Sequence, residues 1–192
     1  MRVIAGVHRG RRLLGPTGSA LRPTSDRVKE AMFSIVGDRI IGARVVDLYA
    51  GTGSLGIEAL SRGAAHVTFV EENRSAGRIL KANLERCRFL SSERTQVWTC
   101  RVETFFREDQ RSLEPYDLVL ADPPYADTFK LIDTVRTAPV GRFASDGYLM
   151  IEHGKKATLP PDVGPYRLVR RYDYGDTSLS LFHRTAEPVG PS

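Results

Sequence analysis

Cysteine is nearly absent: Cys87 and Cys100 are the only two in 192 residues, at a spacing that matches no metal motif. That excludes a disulfide framework, and two thiols without a secretory leader point to core fillers in a reducing, cytoplasmic compartment. The four histidines, His8, His66, His153 and His183, are scattered, and none stands at ligand spacing from a carboxylate or thiol, so no metal site is expected. No apolar run approaches the roughly 20 residues that span a bilayer, and the opening MRVIAGVHRGRRL lacks an apolar signal core, so no membrane association is expected. Acids are missing from one region only. Through Lys29 there are seven basic residues (Arg2, Arg9, Arg11, Arg12, Arg22, Arg27, Lys29) against Asp26 alone, whereas the rest of the chain carries one more acid than base. The net charge of +5 therefore belongs to an N-terminal arm, a candidate for phosphate contact.

What is present reads as one globular domain, acting as a monomer, with 41% apolar and 27% charged residues. Residues 2–14 read as a short hairpin turning at Arg9-Gly10. Ser25 or Asp26 then caps a helix whose apolar face is Val28, Ala31, Met32, Ile35 and Val36. From Arg44 onward strands and helices alternate: strands at 45–48, 66–70, 95–98, 117–121 and 148–152, with helices at 55–62, 75–89, 102–107 and 127–137 between them. Two adjacent strands, about 166–174 and 177–184, close the chain. This alternation predicts an α/β fold, a mostly parallel sheet covered on both faces, with an antiparallel C-terminal hairpin. The boundaries read as a basic arm over 1–22, the main domain over 23–185 and a disordered tail over 186–192.

Three stretches carry chemistry. The first, Asp47-Leu48-Tyr49-Ala50-Gly51-Thr52-Gly53-Ser54-Leu55-Gly56, joins the first strand to its helix, where glycines permit a tight turn against a ligand at a helix N-terminus. An acid inside the strand end, Asp47, either meets a cationic group or orders the loop. The second is Glu71-Glu72, closing the second strand 20 residues after Gly51, where a carboxylate reaches the hydroxyls of an adenosine ribose. The spacing formally satisfies a dinucleotide fingerprint, so NAD is a rival. Negative charge four residues before the first glycine suits a cofactor with a cationic amino-acid head better, and S-adenosylmethionine is one. The third is Asp122-Pro123-Pro124-Tyr125, where two prolines end an apolar strand between a carboxylate and an aromatic ring.

Together with LRPTSDRVKEAMF and RVIAGVHRGRRL upstream, the motifs DLYAGTGSLGIEA, FVEEN and DPPY closely resemble the RsmD family. Its members are class I (Rossmann-like), S-adenosylmethionine-dependent methyltransferases acting on a guanine N2 of 16S ribosomal RNA. The resemblance implies a seven-stranded sheet of order 3-2-1-4-5-7-6. It also implies a target at the position conventionally numbered 966, in the 30S subunit or its assembly intermediate. Carried onto this chain, Asp47, Gly51 and Gly53 would hold the methionine part of the cofactor, Glu71 the ribose, and Arg101 and Val102 the adenine, with Tyr49 and Glu72 as further cofactor contacts. Asp122 to Tyr125 would hold the base, the Asp122 carboxylate and the Pro123 carbonyl each accepting one N–H of its amine while Tyr125 stacks on the ring. Arg9, Arg11 and Arg12 become expected phosphate contacts, and Arg22 and Arg27 either contact RNA or help close the cofactor pocket. Three alternatives stay open at this point. They are adenine N6 methylation of DNA or RNA, which a DPPY motif also serves, an RNA-binding assembly factor without turnover, and an NAD oxidoreductase.

Overall fold

The computed structural model describes residues 1–15, 26–108 and 114–184. Its centre is β1 (Arg44–Leu48), an apolar strand whose last four residues are buried because neighbouring strands and helices cover it on every side. It pairs in parallel with β2 (His66–Val70) on one side and β4 (Tyr116–Ala121) on the other. β3 (Thr95–Trp98) extends the sheet beyond β2, and β5 (Phe143–Gly154) extends it beyond β4. The chain then reverses. β8 (Thr177–His183) runs antiparallel to β5 and is flanked by β7 (Tyr166–Tyr174) and a two-residue edge strand, β6 (Asp162–Val163). The order is β3-β2-β1-β4-β5-β8-β7-β6, which is the expected seven strands with β6 added at the rim.

Strand periodicity sorts the core into two layers. Val45, Val67, Phe69, Leu118 and Leu120 face α1 (Asp26–Val36), α2 (Ser54–Ser61) and α3 (Arg74–Arg86). Val46, Leu48, Val70, Val119 and Ala121 face α4 (Val102–Glu108) and α5 (Thr128–Thr137). Asp47 shares the parity of Val45 and so belongs to the α2 side. Strand order reverses between β1 and β4, the switch point at whose carboxyl edge open α/β sheets bind ligands.

The arm folds back on itself as a minimal hairpin: Arg2 bridges Arg12, Val3 N donates to the Arg11 carbonyl at 3.0 Å and Leu13 N to the Met1 carbonyl at 3.2 Å. Other backbone groups of the arm are given to α2. Ile4 N and Ala5 N donate to the two Glu58 carboxylate oxygens at 2.7 and 2.9 Å, Val7 N to the Ser61 carbonyl at 2.9 Å and His8 N to Ser61 Oγ at 3.0 Å. Gly6 is required at this approach, since a Cβ there would lie 1.8 Å from the Ser61 carbonyl oxygen. Val3 and Leu13 enter the same core as α1 to α3, so the arm is built into the domain rather than appended to it. The expected boundary at 22/23 and the tail at 186–192 lie outside the described residues. No helix among the described residues is long and apolar enough to cross a membrane, and none of their His, Cys, Asp and Glu side chains cluster as a metal site.

Candidate active site

Register builds the site. Leu48 pairs with Val70 and Ala121, and Ala121 pairs with Ile151. The next residue on each strand, Tyr49, Glu71, Asp122 and Glu152, therefore emerges side by side at the carboxyl edge. All four line a cavity of about 610 Å³, within the usual range for small-molecule sites. Gly51, Glu72, Arg101, Val102, Pro123, Pro124 and Tyr125 line it too, so most of the sequence-predicted residues share one space. A smaller cavity of about 270 Å³ opens at the opposite, amino edge beside Arg39, Asp117 and Tyr148.

The β1–α2 loop is held in an unusual conformation. Tyr49 has φ +61°, a left-handed backbone seldom adopted by a residue with a side chain, and Gly51 has φ +56°. Glu71 fixes the turn from the neighbouring strand: one carboxylate oxygen accepts Gly51 N at 2.7 Å and the other accepts Asn73 N at 2.6 Å. A carboxylate has about four acceptor positions, so both oxygens retain capacity toward the cavity. Burial among acidic neighbours, Glu103 first, pushes the Tyr49 hydroxyl up to about 12.

Asp47 and Gly53 stand behind the cavity rather than in its lining. The Asp47 carboxylate is 1% exposed and accepts Gly56 N at 2.8 Å, which anchors the first turn of α2 to the strand. Burial pushes its pKa from 3.8 up to about 8; the Gly56 hydrogen bond opposes the rise, and the charges of Asp122 and Glu71 add to it. Gly53, at φ +86°, begins α2, and a Cβ there would lie 2.3 Å from Leu80 Cδ1; at Gly56 a Cβ would lie 2.2 Å from the Phe69 ring. The second and third glycines of the pattern thus allow helix and sheet to close on each other. Only Gly51 lines the cavity.

On the opposite wall Pro123 is buried, Asp122 is half-buried, and Pro124 and Tyr125 are exposed. The Tyr125 hydroxyl shares a 2.8 Å hydrogen bond with Thr177 Oγ1. One side of its ring lies over Gly154, where a Cβ would come within 3.1 Å, and the residue remains 42% exposed. An open aromatic face is thus clamped in place. The clamp comes from the C-terminal hairpin, to which the sequence analysis gave no place in the site and whose Tyr174 and Thr177 both line the cavity. At the rim, Arg101 Nε meets Glu72 Oε2 at 3.2 Å, and Lys130 Nζ meets Glu103 Oε1 at 2.8 Å. The Lys130 bond lowers the Glu103 carboxyl and raises the Lys130 ammonium. Neither Lys130 nor Glu152 carried a sequence signal, since each reads as an ordinary solvent-facing charge.

Of the basic residues assigned to RNA, the described ones do not line the cavity. Arg9, Arg11, Arg12 and Arg27 are exposed, Arg11 Nη1 donates to the Arg86 carbonyl, and Arg22 lies outside the described residues.

Residues 1–183 match a family model described as Conserved hypothetical protein 95. A Bacillus subtilis protein provisionally named as an rRNA methyltransferase is 33% identical over 96% of this chain and 99% of its own length. The Escherichia coli (strain K12) Ribosomal RNA small subunit methyltransferase D is 31% identical over 97% of this chain and 91% of its own. Among solved structures, an Escherichia coli protein provisionally titled methyltransferase yhhF superposes with a TM-score of 0.81 at 28% identity, covering 97% of this chain and 99% of that one. With residues 1–183 matched by the family model and its relatives matched along nearly its whole length, the chain belongs to the RsmD family of methyltransferases.

Proposed function

We propose that this chain transfers a methyl group from S-adenosylmethionine to the exocyclic N2 amine of a guanine in 16S ribosomal RNA of the small subunit. The observation that carries the reading is the shared cavity: the Glu71-ordered glycine loop and the Asp122–Tyr125 edge face the same space.

The residues present fit the cofactor. Glu71 offers a carboxylate at the second strand end for a ribose diol. Val102 offers an apolar wall, and Glu72 and Arg101 hold each other at the rim. The charges of Asp122 and Glu71 make the centre electronegative, suiting a cation, and no basic side chain among the described residues neutralises Asp47 behind them. Bound there, S-adenosylmethionine supplies an electrophilic methyl group.

The chain's own work is orientation. A guanine amine is a weak nucleophile because its lone pair is delocalised into the ring. The Asp122 carboxylate and the Pro123 carbonyl are two acceptors for its two N–H groups, leaving the lone pair free to point at the methyl. Proline adds no N–H to compete and fixes the turn. Tyr125 gives the extruded base a face to stack on. Holding the reactants in line supplies several kcal/mol without a tuned general base, because the amine sheds its proton after transfer.

The test is labelled-methyl transfer to small subunits from cells lacking the enzyme, with the RNA digested to nucleosides. The expected product is N2-methylguanosine. A methylated adenosine, or no product, would overturn the reading.

A further inference from the structure

The outward face of α3 is the strongest unexplained feature. Its inward face, Ala76, Leu80, Asn83 and Leu84, is buried on the sheet. The opposite stripe carries Arg74, Arg78 and Lys81 at i, i+4 and i+7, all exposed, with Glu85 the one acid in line. Among the described residues none of these three cations meets a carboxylate. Elsewhere on the surface Arg107, Arg136 and Arg167 each do, with Glu108, Asp133 and Asp162. The stripe also has a definite position. It starts directly after Glu72 and Asn73, which line the cavity, and the helix that carries it ends at Arg86, whose carbonyl accepts from the arm's Arg11. From Arg74 to Lys81 is about 10 Å of helix, long enough to meet two or three successive phosphates.

We propose that Arg74, Arg78 and Lys81 form a phosphate track along which the substrate RNA strand runs between the cavity mouth and the arm. The inference rests on the ribosomal RNA reading above and extends it to a surface. Three cations that meet no carboxylate among the described residues, on a rigid helix continuous with the site, attract a polyanion and release its counterions. Cations already paired to carboxylates do so weakly. The track also gives the arm a role: exposed Arg9, Arg11 and Arg12 prolong it where α3 ends.

The test compares two triple variants that lose the same net charge, R74Q/R78Q/K81Q and R107Q/R136Q/R167Q. Affinity for small subunits from cells lacking the enzyme is measured across about 50 to 200 mM KCl, a span over which phosphate contacts dominate. The α3 variant is expected to lose roughly two units of the log–log salt slope, at about 0.7–0.9 per phosphate contact. Its KM for subunits should rise, with kcat at saturation and cofactor affinity unchanged. The control variant should keep the wild-type slope, and R74K/R78K should as well. Equal slopes in the two triple variants would overturn the track, since net charge alone would then explain binding. If the wild-type chain methylates no ribosomal RNA, the functional reading fails and the track with it. If the wild type is active and the α3 variant keeps its slope, the track alone fails.

Discussion

Two acids lie buried at opposite ends of the β1–α2 unit, and they are treated in opposite ways. Glu58, in α2, is 0% exposed and surrounded by donors: Lys29 Nζ at 3.6 Å, Arg62 Nε at 2.7 Å, and the amides of Ile4 and Ala5. Lys29 is itself fully buried and also donates to the Arg2 carbonyl and Ser54 Oγ. Burial pulls its ammonium below the ordinary lysine range, and Glu58 pushes back. Asp47, 11 residues earlier in the sequence, is as deeply buried but has one amide donor, and its charged neighbours are the acids Asp122 and Glu71. Glu58 has its counter-charge supplied by the chain, so its role is structural: it ties α1, α2 and the arm together. Asp47 has none from the chain, and the acids nearest it are ones that line the cavity.

The largest effect should follow from emptying the first of these. Glu58→Ala leaves Lys29 buried without its acid, and breaking a buried pair costs about 3–5 kcal/mol. For a domain this size that lowers Tm by roughly 6 to 20 °C. The amides of Ile4 and Ala5 should also exchange hydrogen faster, as the arm loses its anchor. Cofactor affinity of the folded protein should be unchanged; a parallel loss would make both acids part of one site and erase the contrast. Next in size is Asp122→Ala, which removes an amine acceptor at the cavity face. Turnover should fall about 100-fold, the scale of a lost alignment, with cofactor affinity nearly constant in a titration.

Asp47→Asn should act in the reverse sense to Glu58→Ala. A folded carboxyl that holds its proton up to about 8, against 3.8 when unfolded, contributes stability at low pH that drains away as pH climbs between those values. The amide cannot ionise, so the variant should melt higher than wild type near pH 8 while binding S-adenosylmethionine more weakly. In the wild type a bound cation favours the ionised carboxylate. Affinity should therefore rise with pH up to about 8, by at most about tenfold per pH unit and with no more than one proton released, and the variant's profile should be flat. A flat wild-type profile in calorimetry would mean that the ligand's charge is met elsewhere.

The same contrast explains what was legible in the sequence. Asp47 stood out because a carboxylate interrupts an apolar strand, and Glu71 and Asp122 because each ends one; strand register then brings the three together without further information. Glu58 and Lys29 were silent. A glutamate in SLGIEALS and a lysine in DRVKEAM read as solvent-facing helix residues, and only the fold-back of the arm over α2 buries them. Gly53 and Gly56 fitted a ligand-binding pattern, yet what occupies the space a Cβ would need there is Leu80 and Phe69. The mostly parallel sheet was readable from alternation, and its strand order only from the family resemblance. The hairpin's approach to the cavity was not, because it depends on β8 inserting between β5 and β7 and carrying its turn back to the carboxyl edge.

The smallest predicted effect comes from that hairpin, and it separates positioning from charge. Thr177 is 3% exposed, carries no charge, and bonds the Tyr125 hydroxyl at 2.8 Å. Thr177→Val keeps the shape and deletes the bond, worth about 1 kcal/mol net, or roughly fivefold. Unlike the acids, it should leave both the pH profile and cofactor affinity untouched. It should lower kcat/KM for small subunits by that factor, because a freed Tyr125 ring samples orientations in which the base is not held against Asp122. Thr177→Ser restores the hydroxyl and should recover most of the loss. If the valine variant is as active as the wild type, the ring is fixed by its packing on Gly154 rather than by the hydrogen bond. Gly154→Ala, which brings a methyl within 3.1 Å of the ring, would then become the more damaging change.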